Sequence, residues 1–195
     1  MPDMSAGIPF TLMGLEAIIA QIQRGKNAAE RQLFNQTTDQ LMAVAMRYVM
    51  DEQAARDILQ ESYIRIFSSI KKFNYQSEAE TWSWLQKIVV HEGLRWIKKN
   101  KRWAKMRNVE RNSLAENQVN HLYHDDKLEL LKCLRKEERV VFNMYAIEGY
   151  SHKEIAEVLG MAVGSSRSLL TRARKKLRQQ VEFLERKKVI PNQDL

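Results

Sequence analysis

The chain has 195 residues, a formal net charge of +8 and one cysteine, with seven glycines and three prolines. The lone Cys133 excludes an internal disulfide framework and a cysteine-built zinc site, and no run of about 18 apolar residues is present to span a bilayer. The scarcity of helix breakers suits a mostly helical protein. Charge is unevenly shared: 12 of the 32 basic and 11 of the 24 acidic residues lie in 1–100, so the C-terminal half carries nearly all of the excess. That half is where attraction for a polyanion is expected. The N-terminus lacks a basic leader region and a cleavage site, so a cytoplasmic protein is expected.

Residues 1–13 read as a lead-in. Leu15, Ile18, Ile19 and Ile22 then recur at helical spacing. Gly25 and Asn27 interrupt, a second helix carries Leu33 and Phe34, and a third spans 39–50. Asp51 is placed to cap a fourth, which carries Ala54, Ala55, Ile58, Leu59, Ile64, Phe67 and Ile70. Short connections between amphipathic helices predict a bundle. The stretch 71–81 loses the period and mixes aromatic with polar residues. Helical spacing returns with Trp84, Leu85, Ile88 and Val89, which puts Trp84 in phase with the core. Between Gly93 and Val109 there are seven basic residues and no acid, a footprint for phosphate.

Residues 104–126 read as a linker. His121 and His124 lie there, but no third ligand accompanies them, so no metal and no cofactor is expected. Cys133, among leucines, reads as a small buried hydrophobe. Helical spacing resumes from Leu128 to Ile147, and Gly149 ends it. Ser151 and Glu154 then form a capping box, Ile155, Ala156 and Leu159 an apolar face, and Gly160 a helix stop. A second helix starting near Gly164 or Ser165 places Ser166, Leu169, Ala173 and Leu177 inward. Arg167, Ser168, Thr171, Arg174 and Lys175 face outward. From Val158 to Val181 there are six basic residues and no acid. A capped helix pair with an acid-free outer face predicts a helix-turn-helix whose second helix enters a major groove.

The all-α architecture is thus two small helical domains, 14–103 and 127–185, joined by a flexible linker at 104–126. Within it, the segments 54–67 (AARDILQESYIRIF), 84–90 (WLQKIVV) and 150–177 (YSHKEIAEVLGMAVGSSRSLLTRARKKL) resemble bacterial sigma factors of the sigma-70 family. The resemblance is narrowest to the extracytoplasmic-function (ECF) group and runs from about residue 15 to 183, in the family's order and spacing. It implies an initiation factor, not an enzyme, that binds core RNA polymerase, directs it to promoters and promotes DNA opening.

The resemblance also implies where the contacts lie. Asp57, Gln60, Glu61 and Arg65 match the helix that docks on the clamp helices of the polymerase β′ subunit, and the second domain would meet the β flap. Phe73, Asn74, Tyr75 and Trp82 match the segment that captures flipped −10 bases, with Arg95, Lys98 and Lys99 on the backbone nearby. Ser165, Arg167, Ser168, Thr171 and Arg172 match the −35 readers, Lys175 and Lys176 being phosphate contacts. An anti-sigma factor is a further implied partner, and no membrane insertion is implied. In this chain His91 stands where the family usually has Asn, and Asn74-Tyr75 follow Phe73 where Arg-Gly is frequent. A helix-turn-helix regulator acting alone is the competing reading, and the helix at 54–67 is what separates the two.

Overall fold

The computed structural model describes residues 14–106 and 126–189, and among these every regular element is helical. In chain order they are α1 (Leu15–Gln23), α2 (Asn27–Val49), α3 (Glu52–Ser69) with a 3-10 turn at Ile70–Lys72, α4 (Glu78–Met106), α5 (Asp126–Leu131), α6 (Lys136–Phe142) with a π turn at Asn143–Ile147, α7 (His152–Leu159) and α8 (Val163–Val189). The chain packs as two units. Among the described residues, one holds 14–45 with Arg56–Glu92; the other holds Met46–Ala55, 93–106 and 126–189.

In the first unit α1 buries Leu15, Ile18, Ile19 and Ile22, the four residues its spacing selects. The helix expected to carry Leu33 and Phe34 and the one expected at 39–50 are one continuous helix. The NQTTDQ stretch offers no breaker, and Thr37 satisfies its own buried hydroxyl: Oγ1 donates to the Leu33 carbonyl at 2.8 Å and lies 2.7 Å from the Tyr63 hydroxyl of α3. The Thr37 hydroxyl is a buried tie between two helices. Asp51 does cap α3, its carboxylate accepting from the Ala54 amide at 2.7 Å. Burial of Ile58, Leu59, Tyr63, Ile66 and Ile70 fixes the inner face of α3. Ile64 points out and is 58% exposed.

Helix α4 begins within the expected loop. Ser77 caps it, its hydroxyl accepting from the Glu80 amide at 3.2 Å while its carbonyl accepts from the Thr81 hydroxyl at 2.8 Å. At its other end α4 runs to Met106, beyond the 103 boundary drawn from sequence. His121 and His124 lie outside the described residues.

In the second unit Leu131, Leu134 and Ala173 form a buried cluster, with Met50, Cys133, Phe142 and Leu177 packed on it. Cys133 is only partly buried; its thiol donates to the Leu130 carbonyl at 3.1 Å, and burial pushes the thiol pKa up. The helix expected through Ile147 changes at Asn143 to a π turn, closed by the Glu148 amide on the Asn143 carbonyl at 3.0 Å. The Asn143 side chain is fully buried and donates to the Arg47 carbonyl at 2.7 Å. Glu148 pairs with Arg47 at 3.3 Å, and burial raises its carboxyl pKa against the lowering effect of that guanidinium.

Candidate nucleic-acid and polymerase interfaces

Helix α7 begins at the capping box read from the sequence. The Ser151 hydroxyl accepts from the Glu154 amide at 3.3 Å, and the Glu154 carboxylate accepts from the Ser151 amide at 2.7 Å. Hydrogen bonding of the carboxylate to Ser151, through its hydroxyl first and then its amide, holds the Glu154 carboxyl below its usual range. Gly160 ends the helix at φ +63°, the left-handed conformation that a side chain resists. The turn then delivers α8 at Val163, slightly ahead of the expected start.

On α8, Ser166, Leu170 and Ala173 are buried. Leu170, rather than the expected Leu169, is the core leucine; Leu169 is half-buried at the edge of the apolar stripe. Ser166 is buried because His152 receives it, with Nδ1 2.9 Å from Oγ. This bond joins the start of α7 to the start of α8 and thereby fixes their relation. Outward, Ser165, Arg167, Ser168, Thr171, Arg172 and Lys175 are all exposed. With no acid between 158 and 181, that face attracts an anionic backbone along its whole length.

Lys176 differs from its neighbours. Its ammonium donates to Glu138 at 2.7 Å, and the Arg172 guanidinium lies 3.9 Å from the other oxygen of the same carboxylate. Glu138 also accepts from the Arg135 amide at 3.0 Å, capping α6. Sequence reasoning missed Glu138, for its partners lie on another helix. The signal available was an acid three residues after a helix start.

The outward face of α3 carries Asp57, Gln60, Glu61 and Arg65 together, as the i, i+3, i+4, i+8 spacing requires. Ile64 sits in their midst, exposed although helical spacing places it with the apolar set of the helix. Arg65 is half-exposed and paired with the buried carboxylate of Glu92 on α4. The face is therefore acidic at its N-terminal end, with an apolar centre and an anchored arginine beyond it.

The aromatic segment starts from a fixed point. The Gln23 amide donates to the carbonyls of Ile70 at 3.0 Å and Phe73 at 2.7 Å, holding the chain where it leaves the 3-10 turn. Phe73 stacks on Trp84, ring centroids 4.3 Å apart at 27°. Trp84 is thus not a core residue: it is half-buried, and its ring is shared with the segment before α4. Asn74 is exposed, while Tyr75 and Trp82 are half-buried. Arg95, Lys98 and Lys99 are exposed on one face of α4. Lys98 lines a cavity of about 210 Å³ together with Ile97, Lys136, Glu137, Val140 and Leu159, and Lys136 lies 5.4 Å from the centroid of the Trp96 ring.

Among the described residues no group of three or more His, Cys, Asp or Glu is placed to hold a metal ion. No helix among them is long and apolar enough to cross a membrane.

Two family models match the chain: Sigma-70 region 2 over residues 33–103 and Sigma-70, region 4 over residues 128–177. The ECF RNA polymerase sigma-E factor of Haemophilus influenzae is 26% identical over 188 residues, covering 87% of this chain and 96% of the relative. The ECF RNA polymerase sigma factor SigE of Mycolicibacterium smegmatis is 30% identical over 155 residues, 75% of this chain and 59% of the relative. Among solved structures, the sigma factor RpoE in complex with the anti-sigma factor NepR from Bartonella quintana aligns at a TM-score of 0.46 and 21% identity, over 78% of this chain and 96% of that one. The matched segments take in α3, the aromatic segment, most of α4 and the helix-turn-helix, in one order along one chain. The chain belongs to the sigma-70 family of RNA polymerase sigma factors, in its ECF group.

Proposed function

We propose that the surfaces described divide the work of a sigma factor among named residues. A sigma factor binds core RNA polymerase, directs it to specific promoters and promotes DNA opening, and this chain does so. In our reading the division by function is 14–103 for polymerase binding and −10 opening, 104–126 as linker, and 127–185 for −35 recognition. Asp57, Gln60, Glu61 and Arg65 meet the clamp helices of β′, with Ile64 supplying apolar contact at their centre. A desolvated apolar residue ringed by polar ones is the arrangement that gives an interface affinity.

Phe73, Asn74, Tyr75 and Trp82 receive unstacked bases of the −10 element. Aromatic faces compensate for the few kcal/mol of unstacking with about 1–3 kcal/mol per stacked base. Arg95, Lys98 and Lys99 hold the adjoining backbone. On α8, Ser165, Arg167, Ser168, Thr171 and Arg172 read the −35 element, Arg167 by a bidentate contact worth about 1–3 kcal/mol of discrimination. Lys175 contacts phosphate directly; Lys176 must exchange Glu138 for phosphate to do the same. The β flap and an anti-sigma factor, common in the ECF group, complete the proposed partners. The chain acts in the cytoplasm as an initiation factor without catalysis of its own.

The observation that carries this reading is the exposed, acid-free face of α8, presented by a helix pair capped at Ser151 and turned at Gly160. Arg167→Ala tests it in a promoter-binding assay with holoenzyme: preference for the cognate −35 sequence should be lost. Uniform weakening on every sequence would make Arg167 a phosphate contact instead.

A further inference from the structure

Among the described cations on the outer face of α8, Arg174 has an aromatic partner. Arg174 lies with its guanidinium carbon 5.5 Å from the centroid of the Tyr145 ring, in the π turn. Tyr145 in turn stacks on His152, centroids 4.6 Å apart at 24°. His152 is bonded through Nδ1 to the buried hydroxyl of Ser166, two turns before Arg174 on the same helix. The recognition helix is therefore gripped by one column of side chains at two points, and the second point is an exposed arginine.

We propose that Tyr145 is a positioning residue that presets Arg174 as a phosphate contact of the recognition helix. The proposal rests on the reading of α8 as the −35 helix and adds to it a contact and the device that aims it. Arg167, Thr171, Arg174 and Arg178 fall on one stripe, at i, i+4, i+7 and i+11. Seven residues of helix separate Arg167 from Arg174, about 10 Å along the axis. A recognition helix reads base edges with its N-terminal residues in a major groove about 12 Å wide. A cation two turns further along is level with the groove edge, where the phosphates run. A free arginine loses much rotamer freedom on docking. One already held against an aromatic face loses less, and its guanidinium can keep the ring while it meets an anion.

The test is the salt dependence of full-length chain binding to a short duplex of mixed sequence, by fluorescence anisotropy. A phosphate contact contributes about 0.9 to the slope of log K against log salt, whatever the sequence. Arg174→Ala should flatten the slope by about that amount and weaken binding several-fold. Tyr145→Leu should weaken binding several-fold in the native background and have no further effect in the Arg174→Ala background. Tyr145→Phe, which keeps the ring, should bind as the native chain does. An unchanged slope in Arg174→Ala overturns the contact. An equal loss from Tyr145→Leu with and without Arg174 overturns the presetting, since the ring would then act through the fold alone. A chain that binds no duplex at all sinks the underlying reading of α8, an outcome distinct from both.

Discussion

Glu138 and Lys176 meet at 2.7 Å, and the carboxylate is only 4% exposed. The same carboxylate accepts the Arg135 amide at the start of α6, so one side chain caps one helix and holds another. Burial alone would raise its pKa; the Lys176 hydrogen bond and the Arg135 amide outweigh burial and hold the carboxyl below the usual range. A depressed folded-state pKa gives stability that is present above the unfolded value, about 4.3, and is lost as pH falls through the folded value. Thermal melts of the native chain and Glu138→Gln should therefore differ most at neutral pH and converge progressively as pH falls below the unfolded value. At neutral pH the loss should be roughly 1.5–3 kcal/mol, the scale of a hydrogen bond to a charged group. A constant gap down to acid pH would show that the carboxylate charge contributes nothing.

Gly160 sets the turn of the helix pair at φ +63°. A Cβ there would meet nothing within 4 Å, so a substitution meets backbone strain alone. Gly160→Ala should cost about 1–2 kcal/mol in denaturant unfolding, and Gly160→Asn less, since Asn tolerates the left-handed region. Equal costs for the two would mean that strain at φ is not what selects glycine.

Thr37 and Tyr63 tie α2 to α3 behind the proposed polymerase face. Thr37→Val keeps the shape and removes one partner of the buried Tyr63 hydroxyl, which retains Thr38 at 3.1 Å. The expected loss is about 1 kcal/mol of stability, with polymerase binding unchanged once the protein is folded. A selective loss of polymerase affinity would place the tie within the interface itself.

Phe73→Ala removes the ring that stacks on Trp84. With holoenzyme, binding to single-stranded −10 DNA should weaken by about 1–3 kcal/mol, the worth of one stacked base. Binding of a −35 duplex should stay as it was. Parallel losses on both probes would point to a folding defect.

Local signals carried much of this fold into the sequence. Ser151, Glu154, Gly160 and Asp51 act within four residues of themselves, and each does in the structure what its type and position suggest. The features that stayed hidden depend on partners far along the chain. The separate helix expected from 39 does not form, and Thr37 just before it is tied within α2 to Tyr63, 26 residues away. Trp84 reads as core until Phe73 is placed beside it. Leu169 and Leu170 are both compatible with an apolar stripe, and neighbouring helices decide which is buried. Glu138, an ordinary surface acid by sequence, becomes a hub because α8 brings Lys176 and Arg172 to it. On α3 and α8 the exposure of the candidate residues followed from helical spacing, because charged side chains stay on the solvent side whatever packs behind them.

In the proposed division of work, the α3 face and the α8 face serve one act, initiation by polymerase at chosen promoters. Run-off transcription with purified core polymerase on genomic fragments tests it most directly, comparing the native chain with the Asp57→Ala, Glu61→Ala double variant. Discrete start sites are expected with the native chain and their loss in the double variant, whose C-terminal helix-turn-helix still binds duplex DNA. No initiation by the native chain, or full activity in the double variant, would contradict it.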